Sequence, residues 1–312
     1  MTRRFGSALT RSPGVLRPTL CLAVVLALLP DLSGRAETRD LAIVDDLGHR
    51  VELQAPAARI IALYGAYNEI LAAMGLESRI VGRTKADEIP SSILTRPSIG
   101  THMRPNVEMA LGLKPDLILQ SAGRREAMAP VNQLRSHGLN VAVFNPNGFE
   151  ELFSVIQRIG VLAGEREKAQ ALVDALKGTL DHVARRLGKV SERPKVFFEV
   201  RYPNLLAAGK GSIVDDVIRR AGGHNCVNAN KKLVRLNMET LIAANPDFYV
   251  AQRGPMNRNP SNPAHRPHFQ ALAAVRRNRV LVVDEQVFSR PGPRSVEAVV
   301  QLARFLHPEV WD

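Results

Sequence analysis

Glu108–Leu119 reads EMALGLKPDLIL, and Glu239–Val250 reads ETLIAANPDFYV. Each stretch opens on glutamate, places Pro-Asp seven residues later and runs into an apolar, strand-like segment. The two starts lie 131 residues apart (239 − 108), about the spacing of two domains in one polypeptide. The repeat predicts two similar lobes, each presenting a glutamate at the matching place. A protein of that shape works between its lobes.

Outward from the repeat, short apolar runs alternate with helical patterns. Ala42–Leu53 predicts a hairpin turning at Gly48, Arg59–Leu63 a buried strand, and Tyr67–Met74 a helix with Asn68 near its start and Gly75 as its stop. Strands follow at 80–82, 117–120 and 141–144, with a helix at 128–137 between the last two. This rhythm implies a largely parallel sheet covered on both faces. The segment 149–187 breaks it. Gly160 and Gly164 interrupt the segment, and a helix is expected from about Glu165 to Leu187. Ala169, Leu172, Val173, Leu176, Leu180, Val183 and Leu187 make one apolar stripe on that helix. It would be roughly 34 Å long, either a stiff connector across both lobes or an ordinary packed helix. The strand–helix pattern resumes with a strand at 195–200, a helix at 212–221, a strand at 280–283 and a closing helix at 295–306. A polar loop, 253–267, reads as a flap or a disordered tip.

The first residues carry a different signal. Arg3, Arg4, Arg11 and Arg17 precede an apolar run, Leu20–Leu29, then Pro30 and Ser33-Gly34-Arg35-Ala36. That is a secretory signal peptide pattern with cleavage after Ala36, so a periplasmic location is expected. Cys21 opens the apolar run rather than closing it, which argues against lipidation. Cleavage removes five basic residues and one acid, taking the formal charge from +12 to +8. The charge favours anionic ligands or surfaces. The basic residues are scattered without interleaved aromatics, so no nucleic-acid partner is expected. Cys226 remains as the only cysteine, excluding an internal disulfide and a multi-cysteine zinc site.

No G-x-S-x-G elbow, H-E-x-x-H or complete phosphate loop occurs. Gly209-Lys210-Gly211-Ser212 reads as a tight turn, and His265 and His268 as surface residues. In parallel α/β sheets ligands collect at the carboxyl ends of strands. Those ends offer Tyr64, Arg83, Ser121, Arg124, Arg201, Tyr202 and Arg253, and the loop after Gly100 adds His102, Met103 and Arg104. Arginine forks suit carboxylates and other oxyanions.

The runs RIIALYGAYNEILAAMG (59–75), VGRTKADEIP (81–90) and SIGTHMRPNVEMALGLKPDLIL (98–119) resemble the cluster-type substrate-binding proteins of bacterial ABC importers. The likeness continues through AAGKGS, RRAGGHN, LIAANPD and VFSRPGPR. It implies the class III periplasmic binding protein fold: α/β, with two lobes of mainly parallel sheet bridged by a single long helix. The expected divisions are signal peptide 1–36, N-terminal lobe 37–160, bridging helix 161–190 and C-terminal lobe 191–312. The resemblance implies a non-enzymatic carrier without intrinsic cofactor, working as a monomer with inner-membrane permease subunits. Its ligand would be an iron chelate, haem or cobalamin. By motif, Glu108 and Glu239 would dock onto permease arginines, though each also suits the start of a helix. Where the vitamin B12 binder sets aromatics against the corrin, this chain has Ala86, His102 and Ser121. Some haem binders of the family use a tyrosine where Thr101 stands here. His102 is a candidate haem iron ligand, with Tyr202 or Tyr64 opposite, or else a hydrogen-bonding wall residue. Arg104, Arg124, Arg201 and Arg253 are candidates for holding propionates or an anionic ferric chelate. A ferric siderophore comes first in this reading, haem second and cobalamin third. A cleft enzyme acting on a chelate and a binder of bare metal ions are the readings from other classes.

Overall fold

A computed structural model describes residues 40–123 and 127–311, with isolated positions at 8 and 14. The signal-peptide pattern with Cys21, and the candidate Arg124, lie outside the described residues. Asp40–Asp312 forms one compact unit.

The chain begins with the expected hairpin, β1 (Ala42–Val44) and β2 (Arg50–Glu52), turning at Gly48 with φ +78°. β3 (Ile60–Ala62) leads into α1 (Gly65–Ala73), and Gly75 (φ +71°) ends that helical segment. The helix starts two residues earlier than its apolar pattern suggests, and Asn68 is buried in its first turn. Next come β4 (Ile80–Gly82), the short hairpin β5 (Gly100–Thr101) and β6 (Arg104–Pro105), α2 (Val107–Gly112), β7 (Leu117–Ser121), α3 (Met128–Ser136) and β8 (Val141–Phe144). Two helices follow without a strand, α4 (Phe149–Leu162) and α5 (Arg166–Leu187). The second half comprises β9 (Lys195–Arg201), β10 (Leu206–Ala208), α6 (Ile213–Arg220), β11 (His224–Asn225), β12 (Leu233–Arg235), α7 (Met238–Ala244), β13 (Phe248–Arg253), α8 (Ala273–Arg276), β14 (Val280–Asp284), α9 (Glu285–Phe288) and α10 (Ser295–Leu306).

The first sheet has the order β4-β3-β7-β8, all parallel. The second runs β12-β10-β9-β13-β14, with β11 also on β9; its core is parallel, and β10 pairs antiparallel with β9 and β12. Each sheet alternates its side chains between two cores, as a pleat of period two requires. Ile60, Ala62, Leu117 and Leu119 enter one buried cluster, while Ile61, Leu63 and Ile118 enter another on the opposite face. In the second sheet Val196, Phe198 and Val250 join the first of these clusters, and Phe197, Tyr249 and Ala251 form a third. The shared cluster is completed by α4, α5 and α10.

The α5 stripe is buried as expected through Ala169, Val173, Leu180 and Val183. The helix packs against α4 on one side and α10 on the other, so it bridges the two halves. Gly160 does not interrupt α4. A Cβ there would stand 2.3 Å from Ala169 Cβ, so glycine is what lets α4 and α5 approach so closely. The N-terminus of α4 has no cap of its own; Asp216 on α6 accepts from Phe149 N at 2.8 Å. Glu69 on α1 makes a two-pronged pair with Arg294 at the start of α10, 2.8 and 2.9 Å. Both contacts join one half to the other.

The sequence repeat has a structural cause. Asn106 and Asn237 cap α2 and α7 by accepting from Met109 N and Thr240 N. After each helix, Pro-Asp turns the chain into β7 or β13. The Asp116 carboxylate accepts from Ala58 N and Arg59 N, and the Asp247 carboxylate from Lys195 N, each at the mouth of the neighbouring strand. The repeated residues thus fix where each central strand pair begins. Glu108 and Glu239 lie exposed in the first turn of their helices.

Candidate functional site

A cavity of about 460 Å³ lies where the carboxyl ends of the two parallel sheets face each other. Its volume falls in the usual range for small-molecule sites, about 300–1,000 Å³. From the first sheet come Tyr64 and Gly65 after β3, Asp87 after β4, Ser121 at the end of β7 and Asn145 after β8. The second supplies Lys232, Pro255 and Met256, Glu285 and Arg290. Among the described residues no group of three or more His, Cys, Asp or Glu side chains could hold a metal ion, and no helix is long and apolar enough to cross a membrane.

One wall is aromatic. Tyr64 and Tyr67 meet edge to face at 5.5 Å between centroids, and His102 lies 6.4 Å from Tyr64. His102 and Met103 form the two-residue turn of the β5–β6 hairpin. Gly100, at φ +101°, leaves room for the Arg104 carbonyl, which would lie 2.6 Å from any Cβ there. Gln120 donates to the His102 carbonyl at 2.7 Å and pins that turn to β7. Burial pushes the Tyr64 phenol up to about 12, and Tyr67 well above its ordinary value, so both stay protonated near neutrality.

The opposite quarter is charged. Asp87 is only 2% exposed, and its carboxylate accepts from Thr84 N at 2.7 Å. Glu285 accepts from Met256 N at 2.7 Å. Burial raises the pKa of both, against the lowering influence of these hydrogen bonds and of Arg290. Arg290 lies over the Tyr64 ring, 5.6 Å to its centroid. A Cβ on Gly65 would meet Arg290 Nη1 at 2.5 Å and Asp87 Oδ1 at 2.9 Å. That glycine is therefore the opening through which a guanidinium of one half approaches a carboxylate of the other. Lys232 reaches across to Asn145 Oδ1 at 2.7 Å, and burial lowers its pKa.

Of the residues expected from strand ends, Tyr64, His102, Met103 and Ser121 meet at this cavity. Arg83, Arg104, Arg201, Tyr202 and Arg253 do not line it. Arg83 turns back to the Thr84 carbonyl, 3.1 Å away. Arg104 is exposed on the far arm of its hairpin. Arg201 ends a strand whose successor returns antiparallel, which carries the chain away from the cleft; its Nη2 donates to the Asn204 side-chain oxygen at 2.7 Å. Tyr202 packs under Arg266, 4.0 Å from guanidinium to ring centre, in the outer core of the second sheet. Arg253 is exposed at the end of β13. Asp87, Lys232, Glu285 and Arg290 were not anticipated. The strand-end rule applied to β14 points directly to Glu285.

The loop 253–267 is anchored rather than loose. Arg266 is buried with Glu199, which also accepts from Tyr249 Oη and Asn257 Nδ2. This network holds the stretch that delivers Pro255 and Met256 to the cavity. His265 and His268 are exposed, as expected.

Comparison with known proteins adds the family. Residues 60–287 match the profile described as "Periplasmic binding protein". The chain is 28% identical over 282 residues, 89% of its own length and 88% of the relative's, to the uncharacterized ABC transporter substrate-binding lipoprotein YvrC of Bacillus subtilis. It is 22% identical to the vitamin B12-binding protein of Photorhabdus laumondii, over 82% of this chain and 90% of that one. The solved structure of a possible iron-binding (periplasmic solute-binding) protein from Staphylococcus epidermidis aligns with a TM-score of 0.72 at 27% identity, covering 81% of this chain and 100% of the other.

Proposed function

The chain belongs to the periplasmic binding protein family, and from that premise we propose that it captures an iron complex, a ferric siderophore or haem, between its two lobes and delivers it to the permease subunits of an ABC importer. The observation that carries this reading is the cavity at the facing strand ends, walled by Tyr64, Tyr67 and His102 and reached by side chains of both sheets. Aromatic faces suit the flat or greasy surface of a metal chelate, and convergent polar groups orient it. His102 is the candidate iron ligand within this reading, and no residue is assigned a catalytic role. Cobalamin is the second reading, favoured by the similarity to a vitamin B12-binding protein.

The functional divisions are a leader to residue 36, lobes at 37–160 and 191–312, and the bridging helix at 161–190, with the mature chain periplasmic and monomeric. Glu108 and Glu239 serve as docking points for the permease. Their exposure on matching first turns supports this, because two separated carboxylates can steer association with a two-fold partner. Closure on the ligand is a small movement, since α5 is continuous and side-chain pairs already span the halves.

Native mass spectrometry of protein purified from its own host tests the cargo, together with haem titration followed at the Soret band. A retained metal complex is expected. If the titration shifts the band, His102→Ala should reduce that shift. A protein that retains no complex and binds neither haem, a ferric siderophore nor cobalamin would overturn the reading.

A further inference from the structure

The scattered arginines of the sequence suggest a cleft built for an anion, but the charges that the described residues bring to the cavity are mixed. Among the described residues its charged side chains are two carboxylates, Asp87 and Glu285, and two cations, Arg290 and Lys232. Arg290 approaches Asp87 at the Gly65 opening and sits in the field of Glu285 as well. Lys232 is engaged with Asn145. Among these described side chains no positive charge is in surplus. The two carboxylates are also held in place, each accepting from a backbone N–H: Thr84 N for Asp87 and Met256 N for Glu285. Hydroxyl, amide and phenol groups complete the polar lining through Ser121, Ser289, Asn145 and Tyr64.

We propose that these charges make the cavity selective, so that it takes a metal complex of no net charge whose outer surface offers both hydrogen-bond donors and acceptors, and rejects complexes of high negative charge. This rests on the carrier reading above and narrows it. A ferric trihydroxamate fits, because three hydroxamate monoanions cancel the charge of the iron. So does an amide-rimmed corrinoid. A ferric tris-catecholate does not, because three catecholate dianions leave a triply negative complex beside two desolvated carboxylates. Like charges brought together in a desolvated interface oppose binding by several kcal/mol, and Arg290, lying in the field of both carboxylates, offsets them only in part.

Isothermal titration calorimetry on the mature protein tests this with ferrichrome, cyanocobalamin and ferric enterobactin. At least one neutral probe is expected to bind, and the tris-catecholate about tenfold or more weaker than that probe. The double variant Asp87→Asn, Glu285→Gln keeps an acceptor oxygen for each backbone N–H, and in it the gap should narrow. Equal or tighter binding of the tris-catecholate by the wild type, or an unchanged gap in the folded double variant, would overturn the proposal. Haem binding with neither neutral probe bound would overturn charge selection while the carrier reading stands. If none of these complexes binds, charge selection falls, and the carrier reading falls with it only where the protein purified from its own host also retains no metal complex.

Discussion

Removing Arg266 should destabilise the whole fold strongly, because it strands a buried carboxylate. Its guanidinium is 2% exposed and its partner Glu199 is completely buried. Glu199 receives bonds from both guanidinium nitrogens, from Tyr249 Oη and from Asn257 Nδ2. In Arg266→Met the carboxylate loses its charge partner while remaining out of reach of water. Breaking a buried ion pair from one side costs about 3–5 kcal/mol, and for a chain of this size that corresponds to a fall of roughly 10 °C in melting temperature. The pair need not be strongly stabilising in itself. Glu199→Gln added to Arg266→Met removes the stranded charge but keeps an acceptor for Tyr249, so the double variant should be more stable than Arg266→Met alone. Urea unfolding followed by circular dichroism, with the slope checked for constancy, gives the free energies. A loss below about 1 kcal/mol in the single variant, or strictly additive losses in the double, would refute the argument.

Three further outcomes are expected. Glu108→Ala with Glu239→Ala should leave ligand affinity intact and reduce stimulation of permease ATPase activity in reconstituted vesicles; undiminished stimulation would remove the docking role. Gly160→Val drives a branched side chain into Ala169 across the α4–α5 contact and should destabilise by about 1–3 kcal/mol or more, read as a lower urea midpoint. Asp87 and Glu285 have raised pKa values in the fold, so their contribution to stability is fully present below their ordinary values and is lost as pH rises through the raised ones. Asp87→Asn with Glu285→Gln removes that opposing loss and should therefore steepen the acid-side rise of melting temperature, when both proteins are compared across mildly acidic to neutral pH; parallel profiles would count against it.

The sequence repeat located both central strand pairs because its Pro-Asp has a local job: a carboxylate that caps the mouth of the adjacent strand can be read from residue type and position. The α5 stripe was equally legible, since helical periodicity records which face is buried. Gly160 was not, because a glycine in a helix ordinarily weakens it, and only the approach of Ala169 from another helix reveals why it is there. Strand-end reasoning found Tyr64 and Ser121, where each strand hands the chain on within a parallel sheet. It misplaced Arg201, where the next strand folds back antiparallel, a choice no property of Arg201 records. The charged quarter of the cavity escaped because arginine was favoured by type. Asp87 lies five residues beyond β4, and its burial depends on how the 84–87 turn closes.

The core along α5 draws side chains from both sheets at once. The halves therefore lack separate melting behaviour. A fragment ending near residue 160 would leave the buried face of α4 without α5 packed against it. Heat should disassemble the folded chain in one cooperative step. A cargo bound at one end then shields the whole, raising the temperature at which the distant Glu108 and Glu239 tips lose their shape by an amount set only by its concentration and affinity.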